Sequence, residues 1–328
     1  MTHNLALVGC GAITQAFYLP ALAKHRTRID RLWFVDPSDE ARRTAAAAVP
    51  ARQARRLAEI DDEIRDVIIA TPNPLHFPLA EEGLSRKANL LIEKPFVIWP
   101  EDGRKLIDAA TAKRKIIAIN QTRRFLPLAK LLRRHVMNEE FGRLQSIVHR
   151  EGTKLAWPFA SGAGFARGVQ RTGVIMDFGV HVLDFYQYLL EPKWRFVGAT
   201  HDGFAGPEGL AEMELLADDA PVSIRLSRYQ TQENVARLVF ERATVSFHVY
   251  SSREYAVAWN GPAPKGGGSG KGDLEKYTAP EQLLLNFLAA GEEREAPVCD
   301  ARSSLPVIEL LDEIYRGARL YPDELGSV

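Results

Sequence analysis

The N-terminal stretch Leu5-Ala6-Leu7-Val8-Gly9-Cys10-Gly11-Ala12-Ile13 indicates the fold more strongly than any other part of the chain. Its first four residues are an apolar run that predicts a buried β-strand. Gly9 and Gly11 then remove side chains where strand turns into helix, so that the backbone can approach a pyrophosphate at the helix N-terminus. Thr14 replaces the third glycine of this pattern, and a Gly-x-Gly turn is common without a ligand. The stretch therefore predicts a dinucleotide site only in combination with a second signal further along the chain.

Asp36 supplies that signal, because it comes directly after the second apolar run, residues 31–35. A carboxylate roughly 20 residues beyond a glycine turn can accept hydrogen bonds from both adenosine ribose hydroxyls and repel a 2'-phosphate. The position favours NAD(H) over NADP(H). Arg42 and Arg43 lie nearby and leave NADP(H) open.

Short apolar runs alternate with helical patterns as far as residue 121. Strands separated by helices imply right-handed crossovers and a parallel sheet. We therefore predict that residues 1–121 form a doubly wound Rossmann domain of the α/β class. The predicted helices are 12–24, 39–48, 75–86 and 100–113, and the later strands are 66–70, 89–92 and 115–119.

The pattern changes after residue 121. A long helix is predicted over 174–190, and residues 194–259 alternate with the period of strands that lack intervening helices. We predict that residues 122–302 form an α+β domain with an open, mainly antiparallel sheet, and that a helix over 303–319 packs back on the first domain. The glycine-rich stretch 261–272 does not match a phosphate-binding loop, because no Ser or Thr follows its lysine. It is predicted to be a mobile loop.

Composition excludes several classes of protein. The 328 residues contain 42 Lys and Arg against 42 Asp and Glu, so no net field favours nucleic acid or an anionic membrane. No apolar run approaches the roughly 18 residues of a spanning helix, and the N-terminus lacks signal-peptide regions, which predicts the cytoplasm. Cys10 and Cys299 are too few for a disulfide framework or a thiolate metal site, and no other metal-ligand cluster is apparent.

Asp177, His181 and Asp184 stand at i, i+4 and i+7 of the predicted helix, so their side chains would share one face. Gly179 between them costs about 1 kcal/mol relative to alanine, which is easier to understand if a ligand approaches the backbone. For this segment alone, a satisfied core histidine and a solvated or capping aspartate is the more common interpretation.

Lys94 favours a functional interpretation of this segment, because it follows a predicted parallel strand. Open parallel sheets bind ligands at the carboxyl ends of their strands. Pro95 restricts its conformation and indicates that the side chain is aimed. A histidine with a pKa of about 6.5 can take or return a hydroxyl proton, and an ammonium can stabilise an alkoxide-like oxygen.

Four motifs together resemble the glucose-fructose oxidoreductase, inositol dehydrogenase and MocA (Gfo/Idh/MocA) family of NAD(P)-dependent sugar oxidoreductases, over nearly the whole chain. They are Gly9-Cys10-Gly11-Ala12-Ile13 with Leu19-Pro20-Ala21-Leu22, Thr71-Pro72-Asn73 with His76, Glu93-Lys94-Pro95, and residues 173–181 ending in Asp184.

The resemblance implies hydride transfer between nicotinamide C4 and a secondary alcohol or ketone of a sugar, sugar derivative or cyclitol. His181 would be the general acid/base, Lys94 would polarise the reacting oxygen, and Asp177 would orient the substrate. Arg124 and Lys154, as basic residues near the expected pocket, are predicted to join Asp177 in substrate binding. A homodimer or homotetramer is implied as well. The implied cofactor contacts are Gly9, Gly11, Ala12, Ile13, Asp36, Thr71, Asn73, His76 and Glu93.

The substrate is less defined. An anionic group is suggested by basic residues near the expected pocket, although such charges are more often a solvated face. Aromatic residues there could wall a sugar ring or pack in the core. The basic residues are Arg123, Arg124, Arg150, Lys154, Arg167 and Arg171, and the aromatic ones Trp157, Phe159 and Phe165.

The chain also departs from the family pattern at Thr14, at Tyr18, where a histidine often stands, and at Asn120-Gln121-Thr122. The last two could belong to the pocket of an imine or tetrapyrrole reductase, which is a second hypothesis. A non-catalytic dinucleotide-binding regulator is a third, and retention of Lys94, Asp177 and His181 argues against it.

Overall fold

The computed structural model describes residues 3–154, 171–203, 206–263, 270–272 and 275–321. These residues form two compact units. The first comprises the described residues of 1–125 and 276–308, and the second comprises the remainder.

The first unit is built on a six-stranded parallel sheet in the order β3-β2-β1-β4-β5-β6. Strands β4 and β5 are buried along their whole length, as expected when helices cover both faces of a parallel sheet. The predicted doubly wound architecture is confirmed. Its elements are β1 (His3–Val8), α1 (Leu19–Lys24), β2 (Ile29–Val35), α2 (Asp39–Ala48), β3 (Arg52–Ala54), β4 (Asp66–Ile69), α3 (His76–Ser85), β5 (Asn89–Ile92), α4 (Pro100–Lys113) and β6 (Ile117–Ile119).

The second unit contains a nine-stranded sheet in the order β14-β13-β12-β11-β7-β10-β9-β8-β15. Strands β7 and β10 pair in parallel, as do β8 and β15, and the other neighbours are antiparallel, so the predicted mainly antiparallel sheet is confirmed. The remaining elements of the chain are α5 (Pro127–Met137), β7 (Leu144–Gly152), α6 (Val180–Leu190), β8 (Trp194–His201), β9 (Leu210–Ala217), β10 (Ala220–Ser227), β11 (Val235–Phe240), β12 (Ala243–His248), β13 (Glu254–Trp259), β14 (Gly270–Lys271), α7 (Ala279–Gly291), α8 (Ala301–Gly317) and β15 (Arg319–Leu320).

Helix α7 groups differently from the boundaries expected from the sequence, which placed residues 122–302 in one domain. Its Leu283, Leu284, Phe287 and Leu288 are buried in one cluster with β1 side chains of the first unit. The boundary between the units falls within α8, after Ile308. An apolar helix face shows that it needs a partner without showing which sheet provides it.

Two predicted helices begin with a π-helical segment. Thr14–Tyr18 precedes α1, and Ile175–Gly179 precedes α6. A π turn holds an extra residue and rotates the following side chains relative to an α-helical pattern. The second segment carries Asp177 of the predicted site, and the first follows the predicted cofactor contacts Ala12 and Ile13.

Candidate dinucleotide site and candidate catalytic groups

The glycine turn after β1 needs its two glycines for different reasons. Gly9 is buried at φ 95°, and a Cβ there would lie 2.4 Å from the Ala70 carbonyl oxygen at the end of β4. A Cβ on Gly11 would meet no atom of the described residues within 4 Å, so these residues leave the space in front of Gly11 open. The Thr14 hydroxyl donates to the Gly9 carbonyl at 2.5 Å, so the residue in the third glycine position ties the helix to the turn.

Asp36 joins this turn through its side chain. Its Oδ2 accepts a hydrogen bond from the Cys10 amide at 2.8 Å, and its Oδ1 accepts one from the Ser38 amide at 2.8 Å. An ionised carboxylate has about four acceptor positions, so each oxygen keeps capacity for a ribose hydroxyl. The half-buried Asp36 therefore fits a dinucleotide whose ribose hydroxyls are free.

Arg42 was a reason to leave NADP(H) open. Its Nη1 donates to the Asp36 carbonyl and its Nη2 pairs with Asp39, and the residue is 8% exposed. The Arg42 guanidinium therefore bonds groups at the start of α2 and directly after β2. Arg43 is exposed and remains the arginine that leaves NADP(H) open.

The exit of β4 provides a further polar group. Among the described residues, the buried Thr71 Oγ1 has no hydrogen-bond partner, whereas His76 Nε2 lies 2.8 Å from the Thr71 carbonyl oxygen. His76 Nδ1 bonds the Pro95 carbonyl at 2.8 Å, and burial lowers the pKa of this imidazole. His76 thus links two strand exits, and the Thr71 hydroxyl is the group there with unused hydrogen-bonding capacity. Asn73 is half-buried beside them.

Lys94 lies half-buried at the exit of β5, between Glu93 and a cis peptide bond to Pro95. Glu93 is 6% exposed, and its Oε1 accepts a hydrogen bond from the Tyr18 hydroxyl at 2.9 Å. Asn120 Nδ2 donates to the same oxygen. Burial raises the pKa of the Glu93 carboxyl, and these hydrogen bonds oppose that effect. The Glu93 carboxylate faces its own unit, and Tyr18 is buried rather than lining an open pocket.

In the second unit, Asp177 lies in the π segment and His181 in the first turn of α6, and both are half-buried. Asp177 Oδ2 pairs with Arg228 Nη2 at 2.5 Å, and Arg228 is 7% exposed. Asp184 is fully buried, so it does not share the accessibility of the other two. The π segment lies between Asp177 and α6, so the i, i+4 relation of an uninterrupted α-helix does not apply to Asp177 and His181.

Gly179 is not required by packing within the described residues. A Cβ there would lie 3.6 Å from Leu226 and from Leu311, which is ordinary van der Waals contact. The close approach of a ligand, suggested by the position of this glycine in the sequence, stays a prediction.

The basic residues predicted to flank the substrate are mostly bonded within the protein. Arg124 is 3% exposed, and its Nη1 donates to the Val298 carbonyl and Ser303 Oγ, each at 3.2 Å. Arg171 pairs with Asp312 at 2.6 Å, whereas Lys154 is exposed after β7. Roles in substrate binding for Arg124 and Lys154 stay predictions. Trp157, Phe159, Phe165 and Arg167 lie outside the described residues.

Three residues of these clusters were missed in the sequence or interpreted differently. Arg228 follows β10 without any motif, and nothing in the sequence connects it with Asp177. Tyr18 and Asn120 stood out as departures from a pattern, but their meeting at Glu93 depends on how strands pair.

Metal ligands and membrane spans are both absent from the described residues. These residues contain no group of three His, Cys, Asp or Glu side chains arranged to hold a metal ion. In the same part of the chain, no helix combines the length and apolar character needed to cross a membrane.

Comparison with known proteins supports the Rossmann fold of the first unit. Residues 3–121 match the model of the oxidoreductase family with an NAD-binding Rossmann fold, GFO_IDH_MocA. The chain is 23% identical over 190 residues to glucose-6-phosphate 3-dehydrogenase of Bacillus subtilis, covering 57% of this chain and 54% of that protein. It is 30% identical over 146 residues to the rhizopine catabolism protein MocA of Rhizobium meliloti, covering 44% of each. The matched part thus spans about half the length of these curated relatives.

Among solved structures, the chain is similar to the WlbA dehydrogenase of Bordetella pertussis in complex with NADH and UDP-GlcNAcA. The TM-score is 0.83 at 21% identity, over 96% of this chain and 95% of that one. This likeness shows the fold of both units.

The parallel sheet, the glycine turn and the carboxylate bonded to it define an NAD-binding protein of the Rossmann class. The likeness to the Gfo/Idh/MocA oxidoreductase family lies in residues 3–121.

Proposed function

We propose that the protein is an NAD-dependent oxidoreductase that transfers a hydride between nicotinamide C4 and a secondary alcohol or ketone of a sugar, sugar derivative or cyclitol. The observation that carries the proposal is the Asp36 carboxylate bonded to the Cys10 amide, next to the open space in front of Gly11. The unpartnered Thr71 hydroxyl is a second group that fits a dinucleotide.

Three side chains are proposed to act on the substrate. When bound, the nicotinamide accepts or supplies the hydride. His181 takes the hydroxyl proton during oxidation and returns it during reduction. The Lys94 ammonium stabilises negative charge on the reacting oxygen, and Asp177, fixed by Arg228, orients the substrate.

The names of the relatives support a sugar that carries phosphate. One acts on glucose 6-phosphate, and the WlbA structure contains a UDP-sugar. We therefore propose a phosphorylated or nucleotide-linked sugar as the first substrate class to test, with free sugars and cyclitols as the second.

The test is a screen for absorbance of reduced nicotinamide, with NAD⁺ or NADP⁺ and glucose 6-phosphate, UDP-N-acetylglucosamine, glucose and myo-inositol. On any substrate found, His181→Ala and Lys94→Ala should each lower kcat about 10²–10⁴-fold, the usual range for a lost acid/base group, while NADH binding persists. Matched controls are the exposed His248→Ala and Lys105→Ala. Near-normal rates in both site variants would contradict the assigned roles, and binding of NADH without turnover of any substrate class would contradict the enzyme proposal.

A further inference from the structure

Tyr18 and Asn120, which the proposed reaction does not use, meet at one buried carboxylate. The Tyr18 hydroxyl donates to Glu93 Oε1 at 2.9 Å, and Asn120 Nδ2 donates both to that oxygen and, at 3.1 Å, to the Tyr18 hydroxyl. The exposed fractions are 2% for Tyr18, 6% for Glu93 and 7% for Asn120. The three residues form a closed triangle of hydrogen bonds away from solvent.

The triangle joins three separate parts of the first unit. Tyr18 ends the π segment after the glycine turn, Glu93 follows β5, and Asn120 follows β6. A buried carboxylate is costly unless donors satisfy it, and here two donors approach Oε1 from different elements. The position of the Glu93 carboxylate is therefore fixed by donors from two different elements.

Glu93 is in turn connected to Lys94. Its Oε2 accepts a hydrogen bond from the Lys94 amide at 3.3 Å, and the positive charge of Lys94 acts on the Glu93 carboxylate. Since the carboxylate bonds the main chain of the next residue, a shift of the carboxylate would move the Lys94 backbone and change the charge beside its ammonium.

We propose that Tyr18 and Asn120 are positioning residues for Lys94, acting through the Glu93 carboxylate that they hold. This inference rests on the proposed function for the catalytic role of Lys94. In this inference Glu93 positions Lys94, whereas the sequence predicted that Glu93 contacts the cofactor.

The experiment measures the reactivity of the Lys94 amine in the free protein, so that it needs no substrate. The protein is treated with limiting acetic anhydride, and acetylation of Lys94 is measured by mass spectrometry relative to Lys105, an exposed lysine of the same unit. Tyr18→Phe removes only the hydroxyl, and Asn120→Ala and Glu93→Gln test the other two corners. We expect each variant to raise the Lys94 to Lys105 ratio roughly threefold to tenfold, because a Glu93 side chain that lacks a donor or its charge no longer fixes the main chain of Lys94.

Tyr186→Phe is the matched control, since Tyr186 is fully buried and its hydroxyl bonds His149 at 2.9 Å in the second unit. It should lower thermal stability to an extent similar to Tyr18→Phe while leaving the ratio unchanged. A Lys94 ratio equal to wild type in folded Tyr18→Phe and Glu93→Gln would overturn the inference. Because the readout is chemical labelling, failure to find a sugar substrate would count against the proposed function alone.

Discussion

Gly9 and Gly11 show how neighbouring residues of one motif serve different purposes. Gly9 is required by the protein itself, because its backbone is left-handed and the Ala70 carbonyl occupies the place of a side chain. Gly11 meets no such restriction from the described residues. We therefore propose a ligand as the reason for the missing side chain at Gly11, whereas at Gly9 the fold explains it.

This difference predicts opposite behaviour of two alanine variants. Gly9→Ala should lower the free energy of unfolding of the free protein by about 1–3 kcal/mol or more, since it combines strained φ with a steric clash. Gly11→Ala should leave the free protein within about 0.5 kcal/mol of wild type but weaken NADH binding. Thermal melts without ligand and fluorescence titration with NADH measure the two effects. Unchanged NADH affinity in Gly11→Ala would contradict a dinucleotide over this turn.

Arg228 and Asp177 make a similar point for the second unit. The sequence singled out Asp177 by its spacing from His181, but the guanidinium that holds it comes from the end of β10. A motif identifies residues on one helix, whereas the partner of such a residue depends on which strand lies beside that helix.

Helix α7 illustrates how an element is attached to a unit. It begins with a capping box, in which the Thr278 hydroxyl and amide contact Glu281, and Glu281 also pairs with Lys24 at 3.1 Å. Burial opposes ionisation of Glu281, but these hydrogen bonds and the ion pair outweigh it and lower its pKa to about 2. The start of α7 is thus tied to α1 by an ionised carboxylate.

The lowered pKa predicts acid sensitivity. Because the folded pKa lies below the ordinary value of 4.5, the stabilisation is present above pH 4.5 and is lost as the pH falls towards about 2. Glu281→Gln should lower stability at pH 6 by about 1–3 kcal/mol and flatten the loss below pH 4.5. Thermal melts between pH 6 and pH 2.5 provide the measurement, with the exposed Glu101→Gln of α4 as control. An equally steep acid loss in Glu281→Gln and wild type would refute this account.

The π segments mark where helix prediction was incomplete. Apolar periodicity located both helices, over 12–24 and 174–190, but an inserted residue changes the faces without changing the composition. The side-chain direction of Asp177 relative to His181 therefore could not be predicted from their spacing.

At the level of the whole chain, the first unit carries the proposed dinucleotide contacts and the second carries the proposed acid/base group. Ligand binding to the folded state should therefore stabilise the protein through the first unit. NADH at a concentration 100 times its Kd should raise the free energy of unfolding by about 2.7 kcal/mol.

Two variants separate the contribution of the proposed ribose contact from that of the proposed acid/base group. Asp36→Ala should lose most of the stabilisation by NADH and shift preference towards NADPH, because it removes a charged acceptor that repels a 2'-phosphate. His181→Ala should keep the full shift, since it is proposed to act on the substrate. Differential scanning calorimetry with NADH and NADPH measures both, and a wild-type NADH shift in Asp36→Ala would exclude the proposed ribose contact.

The sequence by itself determined the alternation of strands and helices, the parallel and mainly antiparallel sheets, and the glycine turn with Asp36, because these depend on local periodicity and on backbone conformations that few residues can adopt. Tertiary structure alone decided that α7 joins the first unit, that Glu93 is held by Tyr18 and Asn120, and that Asp177 pairs with Arg228. Those contacts join residues far apart in the chain, and their energy comes from burying groups together. Spacing along the sequence therefore carries no record of them.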